Sequence, residues 1–150
     1  MVSNRQKRVP LNPQFLKPFV AQLNSVLRLG RRRFDVVVVD DIEIERLNRS
    51  FRGVVQPTDV LSFSWQNDPE REDEDPAIRA EWSGFLGDIV ISAETARRNS
   101  VEAGLSLRTE IRQLVLHGLL HLLGYDHETD HGEMERLELA LRRELGITDR

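Results

Sequence analysis

Three of the four histidines lie within one short apolar stretch, LVLHGLLHLLGYDH, at residues 114–127. His117 and His121 are four residues apart, so a helix places them on one face, roughly 6 Å apart along its axis. Gly124 permits the left-handed backbone conformation that ends a helix, and His127 follows three residues later. Three imidazoles arranged in this way bind one zinc ion and leave a fourth position open, as in catalytic zinc sites.

The spacing matches the zinc-peptidase pattern H-E-x-x-H-x-x-G-x-x-H at every position but one. Gly118 occupies the position of the glutamate that acts as the general base in those peptidases. The motif therefore predicts a hydrolytic zinc site for another class of substrate, and nickel, copper or iron also fit the spacing. The alternative is an ordinary core helix, but an unpartnered buried imidazole costs about 1–3 kcal/mol, and several together favour a shared metal ion.

Two other polar residues near the motif have less specific interpretations. Asp126 either orients a metal ligand or stabilises the turn after Gly124. His131 has polar neighbours, so we expect it to be exposed at the start of the last helix.

The composition is that of a soluble globular protein. The chain has 150 residues, 39% hydrophobic and 31% charged, which fits one domain over residues 1–150. No apolar run reaches the ~18 residues of a membrane span, and no apolar segment follows the basic N-terminus as in a signal peptide. The absence of cysteine excludes thiolate metal sites and fits a cytoplasmic location. We expect no membrane partner, and a monomer.

The charge is distributed unevenly along the chain. Residues 1–58 carry eleven Lys and Arg against five Asp and Glu, whereas residues 59–150 carry ten against twenty. The basic part leaves a polyanionic partner open, although two solvated faces of opposite sign are the more ordinary explanation.

The elements that position the histidines follow from periodicity and turn residues. The pattern predicts an α+β fold, in which a small mixed sheet of about four strands is packed with about five helices. Asn12-Pro13 is expected to begin the first helix and Gly30 to end it, and residues 66–83 are expected to form an acidic surface loop. The predicted strands are 34–40, 59–65, 87–92 and a short N-terminal edge strand; the remaining helices are 42–52, 93–103, 106–123 and 132–145.

The sequence resembles a known family at three places in the same order. HGLLHLLGYDH (117–127) resembles the signature of the YbeY-type endoribonucleases, the bacterial rRNA maturation factors. LNRSFRGVVQPTDVLSF (47–63) and LGDIVIS (86–92) resemble two further segments of that family. The chain departs from the family after Phe63, where Ser64-Trp65 replace a usual proline, and in the acidic segment 66–83.

The resemblance implies a single α+β domain with one Zn²⁺ per chain, bound by His117, His121 and His127. It implies cleavage of single-stranded RNA in maturation of the 3′ end of the small-subunit (16S) rRNA and in ribosome quality control. The implied partners are rRNA, the small ribosomal subunit and its proteins. Arg52 matches the family's arginine that contacts the RNA backbone, and it is the candidate catalytic residue.

Further arginines are candidate contacts for the RNA backbone, because guanidinium groups neutralise phosphates. Individually, each is more readily explained as an ordinary surface charge. The nearest candidates in sequence to Arg52 are Arg49 and Arg46; the others are Arg28, Arg31, Arg32 and Arg33.

Two other functions stay open on the sequence alone. One is a zinc peptidase or amidase, which the missing glutamate base at Gly118 disfavours. The other is a ribosome-assembly or RNA-binding factor whose zinc is not catalytic. For a nuclease, both water and the neighbouring ribose 2′-OH are candidate nucleophiles.

Overall fold

A four-stranded mixed sheet forms the centre of the computed structural model, which describes residues 1–65, 75–126 and 128–148. Its strands are β1 (Val2–Asn4), β2 (Arg33–Val39), β3 (Val60–Ser64) and β4 (Phe85–Ser92). The order across the sheet is β1-β2-β4-β3; β1, β2 and β4 are parallel, and β3 pairs with β4 in the antiparallel direction. The predicted strands and the mixed α+β sheet are therefore confirmed.

Six α-helices surround this sheet in the part of the chain that is described. They are α1 (Leu16–Val26), α2 (Asp41–Arg52), α3 (Pro76–Glu81), α4 (Ala93–Ala103), α5 (Leu107–Leu122) and α6 (Glu133–Leu145). A 3-10 turn at Pro13–Phe15, capped by Asn12, leads into α1. Among the described residues, none of the helices combines the length and the apolar character needed to cross a membrane.

Three helices begin at the side-chain caps that the sequence indicates. The side-chain oxygens of Asp40, Ser92 and Ser106 accept hydrogen bonds from backbone N–H groups in the first turns of α2, α4 and α5. Gly53 and Gly104 take the left-handed conformation directly after α2 and α4, with φ of 69° and 70°. Local hydrogen bonding thus sets both ends of α2 and α4.

The prediction that the first helix extends to Gly30 is wrong. The helix ends at Val26, and Arg28 takes the left-handed conformation with φ of 53°. The N–H of Leu29 then donates to the carbonyl of Asn24 at 3.0 Å, which closes the last turn and directs the buried Leu29 into the core. Gly30 also takes the left-handed conformation, with φ of 64°, but only after the helix has already ended.

The prediction of a loop over 66–83 is wrong in its second half, because Pro76–Glu81 form α3. Asp75 caps this helix by accepting a hydrogen bond from Ala77 N–H at 2.8 Å, and Pro76 occupies the first turn. Asp75-Pro76 is the same type of start signal as Asn12-Pro13. Residues 66–74 lie outside the described residues.

The sheet has a hydrophobic cluster on each face. Val36 and Ile89 belong to the larger cluster, which includes residues of α1, α5 and α6. On the opposite face, Val39 and Val90 pack with Ile44 of α2. Eleven of the 16 residues of α5 are buried, so any polar side chain on this helix requires a partner within the protein.

Asp41 joins the first turns of α2 and α4. Its Oδ1 accepts hydrogen bonds from the hydroxyls of Ser92 (2.5 Å) and Thr95 (2.6 Å), and its Oδ2 pairs with the Arg98 guanidinium at 2.7 Å. Burial acts to raise the pKa of Asp41, but the hydrogen bonds from Ser92, Thr95 and Arg98 outweigh it and hold the pKa below its ordinary value.

Asp41→Asn should lower the free energy of unfolding at pH 7 by about 1–2 kcal/mol, because the network loses its charged acceptor. Since the folded-state pKa of Asp41 is lowered, its contribution is present above the unfolded pKa of about 4 and is lost as the pH falls further. In urea unfolding curves, the difference from wild type should therefore be constant from about pH 5 to 8 and shrink below about pH 4. Asp40→Asn, which removes the same charge but retains a good helix cap, is the matched control. An undiminished difference at acidic pH would contradict the prediction.

Candidate metal centre

His117 and His121 lie one turn apart on α5, and their side chains converge. Their Nε2 atoms are 3.1 Å apart, and the rings meet edge to face with centroids 4.7 Å apart. Two nitrogens bound to one zinc ion in tetrahedral geometry are separated by about 3.3 Å. The pair therefore fits coordination of a single ion.

Glu138 of α6 holds His117 in this orientation. Its Oε1 lies 2.7 Å from His117 Nδ1, and its side chain is largely buried. An ionised carboxylate can only accept, so His117 Nδ1–H donates and the lone pair of its Nε2 faces His121. A carboxylate on the outer nitrogen of a histidine is the usual arrangement for orienting a metal ligand.

Arg142 lies one turn after Glu138 on α6, with its Nη2 3.7 Å from Glu138 Oε2. Burial acts to raise the pKa of Glu138, but the hydrogen bond from His117 and the nearby positive charge of Arg142 outweigh it. The pKa of Glu138 is therefore below its ordinary value, and the carboxylate is charged at neutral pH.

Glu138 was not predicted from the sequence, although the sequence contains a signal for it. Met134, Leu141 and Leu145 define the buried stripe of α6, and Glu138 lies within it. A carboxylate on the apolar face of a helix requires a specific partner, because Glu is almost never fully buried unless paired. This exception in the stripe indicates a functional position.

The chain turns back directly after α5, as predicted. Gly124 takes φ of 101°, and Tyr125 N–H donates to the Leu120 carbonyl at 3.0 Å. Asp126 Oδ1 accepts a hydrogen bond from Glu128 N–H at 3.0 Å, which is the turn role considered above.

The third predicted ligand, His127, lies outside the described residues. Within residues 1–65, 75–126 and 128–148, no group of three or more His, Asp or Glu side chains is arranged to hold a metal ion. The described part of the site is thus the His117–His121 pair with its supporting Glu138. His131 is exposed, as expected from its neighbours.

Gly118 is the point of closest approach between α5 and the sheet. Its carbonyl accepts a hydrogen bond from Ser62 Oγ at 2.9 Å. A Cβ at this position would lie 2.7 Å from Ile89 Cγ2 and 3.0 Å from Ser62 Oγ. Position 118 therefore faces the sheet, and the glutamate of the peptidase pattern has no space there.

The candidate RNA-contacting arginines lie on the other face of the sheet. Arg46, Arg49 and Arg52 are exposed on α2, which packs against the face opposite to α5. Arg46 forms an ion pair with Glu43, with the closest atoms 2.6 Å apart. The structure therefore brings His117 and His121 together but assigns the arginines to a separate element.

The edge strand β3 connects these two elements. Ser62 bonds to Gly118 of α5, while the next residue, Phe63, faces the opposite side and contacts Phe51 of α2 with ring centroids 4.9 Å apart. Successive side chains of a strand point to opposite faces, so one strand supports both helices.

The remaining arginines of the basic segment lie between the end of α1 and the first residue of β2, Arg33. Arg33 has its guanidinium 5.9 Å and 5.7 Å from the ring centroids of Trp82 and Phe85. Arg32 donates to the Leu29 carbonyl at 3.2 Å. Arg28 and Arg31 are exposed.

Comparisons with known proteins agree on one family. The family described as Endoribonuclease YbeY matches residues 1–146. Endoribonuclease YbeY of Desulfitobacterium hafniense is 47% identical over 114 residues, covering 75% of this chain and 71% of that protein. The Moorella thermoacetica Endoribonuclease YbeY is 39% identical over 158 residues, covering 97% and 96%. The solution structure of TM1509 from Thermotoga maritima superposes with a TM-score of 0.60 at 27% identity, covering 97% of this chain and 89% of that one.

Gly118→Ala should lower the free energy of unfolding by about 1–2 kcal/mol, although alanine is the better helix former. The reason is that the added methyl meets Ile89, a β-branched side chain that cannot rotate away. In an Ile89→Ala background, the same substitution should cost clearly less, because the closest contact is removed and only the 3.0 Å approach to Ser62 Oγ remains. Chemical denaturation of the four proteins checks this coupling, and an equal loss in both backgrounds would rule out the steric explanation.

Proposed function

Because the chain belongs to the YbeY endoribonuclease family, we propose that it is a zinc-dependent endoribonuclease that cleaves single-stranded RNA. The observation that carries the metal-dependent part is the convergence of the Nε2 atoms of His117 and His121, 3.1 Å apart, with Glu138 on the outer nitrogen of His117. Among the described residues, this pair is supported by a buried carboxylate in the manner of metal-binding histidines.

His117, His121 and His127 are the residues that would hold one Zn²⁺, since neutral imidazole is a preferred ligand for zinc. A zinc ion bound there supplies Lewis acidity, which activates water and polarises a phosphoryl oxygen. Glu138 keeps the proton of His117 on Nδ1, so that its Nε2 is available as a ligand.

Arg52 is the candidate residue for holding the scissile phosphate. Its guanidinium is exposed in the last turn of α2. A guanidinium group can donate two parallel hydrogen bonds to the oxygens of one phosphate. Arg49 and Arg46 extend this basic surface along the helix, although Glu43 already engages Arg46. An RNA strand that crosses the edge of β3 meets the arginines on one side and α5 on the other.

Family membership also supports a cellular role. The proposed substrate is the 3′ end of 16S rRNA during maturation of the small ribosomal subunit, with a further part in ribosome quality control. The subunit and its proteins are then the partners, and the location is the cytoplasm. The excess of Lys and Arg in residues 1–58 is consistent with binding to RNA.

The peptidase alternative loses support because position 118 packs against Ile89 and Ser62 and has no space for a glutamate base. A ribosome-assembly factor with a non-catalytic zinc is the other outcome that the following experiment separates.

The purified protein should contain about one zinc per chain by elemental analysis and should cleave single-stranded RNA. His121→Ala should lose both the zinc and the cleavage, because one ligand is removed. Arg52→Glu should keep the zinc and lose cleavage, because a carboxylate repels the phosphate. Arg97→Glu, the same charge change at an exposed position on α4, should retain both. Undiminished cleavage by the zinc-free His121→Ala protein would refute the metal-dependent mechanism.

The chemistry of the cleaved ends distinguishes the two candidate nucleophiles. A 2′,3′-cyclic phosphate on the product requires attack by the ribose 2′-OH and would exclude direct attack by water.

Glu138→Ala should weaken zinc binding about 10- to 100-fold, because His117 loses the group that fixes its orientation. Glu138→Gln still accepts a hydrogen bond but carries no charge, so its zinc affinity should lie between those of Glu138→Ala and the wild-type protein. Competition with a chromophoric chelator measures zinc affinity without reference to cleavage. Glu135→Gln, exposed on the same helix, is the matched control, and a Glu138→Ala affinity within twofold of wild type would contradict the proposed orientation.

A further inference from the structure

Phe51 is two-thirds exposed, at 67%, although it continues the sheet-facing stripe of α2 that begins with Ile44 and Leu47. Its only described ring contact is with Phe63 of β3, at 4.9 Å between centroids and an interplanar angle of 63°. This edge contact leaves much of the ring available to solvent or to a ligand.

The surroundings of Phe51 are basic. Residues 46–57 contain three arginines and no aspartate or glutamate. Arg49 and Arg52 flank Phe51 in sequence and are exposed. Neither has an ion-pair partner among the residues that the structure describes, in contrast to Arg46 with its Glu43. Both arginines belong to the last turn of α2, as Phe51 does, and their exposed side chains are available to bind an anion.

The backbone that carries these side chains is held in place from within the protein. Asn48, which is buried, donates from Nδ2 to the Gln56 carbonyl at 2.9 Å. Gly53 closes the helix by donating its N–H to the Arg49 carbonyl at 3.1 Å. An exposed aromatic ring on an ordered helix end loses little conformational entropy when it binds a ligand.

The position of Phe51 relates it to the histidine pair. Its partner, Phe63, follows Ser62 in β3, and Ser62 bonds to Gly118, the residue next to His117. Phe51 therefore contacts Phe63, and the helix that carries the histidine pair contacts the preceding residue of the same edge strand, Ser62.

We propose that Phe51 stacks on a nucleobase of single-stranded RNA while Arg49 and Arg52 bind the flanking phosphates. This inference rests on the proposed function and adds to it a residue that positions the substrate by its base. Unpaired bases stack on aromatic side chains whatever their identity, and guanidinium groups follow the backbone. A largely exposed aromatic ring beside two exposed arginines fits this ligand better than it fits an apolar protein surface.

The test is binding of a fluorescein-labelled single-stranded RNA of roughly 12 nucleotides to the zinc-loaded protein, followed by anisotropy, with RNA integrity checked on a gel. Phe51→Ala and Phe51→Leu should raise Kd on the order of tenfold, because both lack the aromatic face. Phe51→Trp should retain the affinity, and its added fluorescence should be quenched by RNA. Ile42→Ala, at a residue of α2 that is 68% exposed, should bind like wild type.

The salt dependence separates stacking from phosphate binding. Phe51→Ala should leave the slope of log K against log salt unchanged, because no charge is lost. Arg49→Gln should reduce the steepness of that slope by about 0.7, the value for one phosphate contact on a single strand.

Four outcomes would overturn the inference. Wild-type affinity in Phe51→Ala, with RNA cleavage intact in the wild-type protein, would reject stacking and leave the proposed function standing. If Phe51→Leu bound RNA like wild type while Phe51→Ala did not, the ring would serve only to pack against Phe63. Weaker association with small ribosomal subunits at unchanged RNA affinity would assign the ring to a protein contact. A wild-type protein that neither binds nor cleaves RNA would remove both proposals together.

Discussion

The close contact between α5 and the sheet at Gly118 determines the rest of the site. With no side chain at this position, the helix approaches Ile89 and its carbonyl bonds to Ser62. The contact fixes the rotation of α5 about its own axis, because a small rotation would separate these groups. Once that rotation is fixed, His117 is directed toward Glu138 of α6 and away from the sheet. The glycine that removes the peptidase base is thus the residue that orients the histidines.

Polar contacts are embedded in the largely apolar packing between α5 and the C-terminal part of the chain. Gln113 donates to the Ile147 carbonyl at 2.6 Å, and His117 pairs with Glu138. Glu110 of α5 is also buried. Burial raises the pKa of its carboxyl, and the nearby negative charge of Asp59 raises it further. Each buried polar group that lost its partner would cost about 1–3 kcal/mol. The interface therefore exchanges some stability for fixed orientations, which is the expected arrangement around a functional side chain.

Local rules predicted most of the elements, and long-range packing explains the differences. The caps at Asp40, Ser92 and Ser106 depend on side chains a few residues away, so the sequence alone indicated where α2, α4 and α5 begin. The early end of α1 allows Leu29 to reach the core, and this long-range contact cannot be predicted from local sequence preferences. Glu138 was missed for the same reason, since its partner is 21 residues away. The histidine pair was predictable because both residues lie on one helix, whereas the separation of the arginines from it required the sheet topology.

The arrangement around β3 bears on the kind of RNA that reaches both parts of the surface. The histidine pair belongs to α5 on one face of the sheet, and Arg52 belongs to α2 on the other, with the edge strand between them. A nucleic acid that contacts both must follow the surface around the edge strand. A double helix resists sharp bending, since the persistence length of DNA is about 150 base pairs, whereas a single strand bends freely and exposes its bases. For the nuclease proposed above, the topology of the sheet is therefore better suited to a single-stranded substrate than to a double helix.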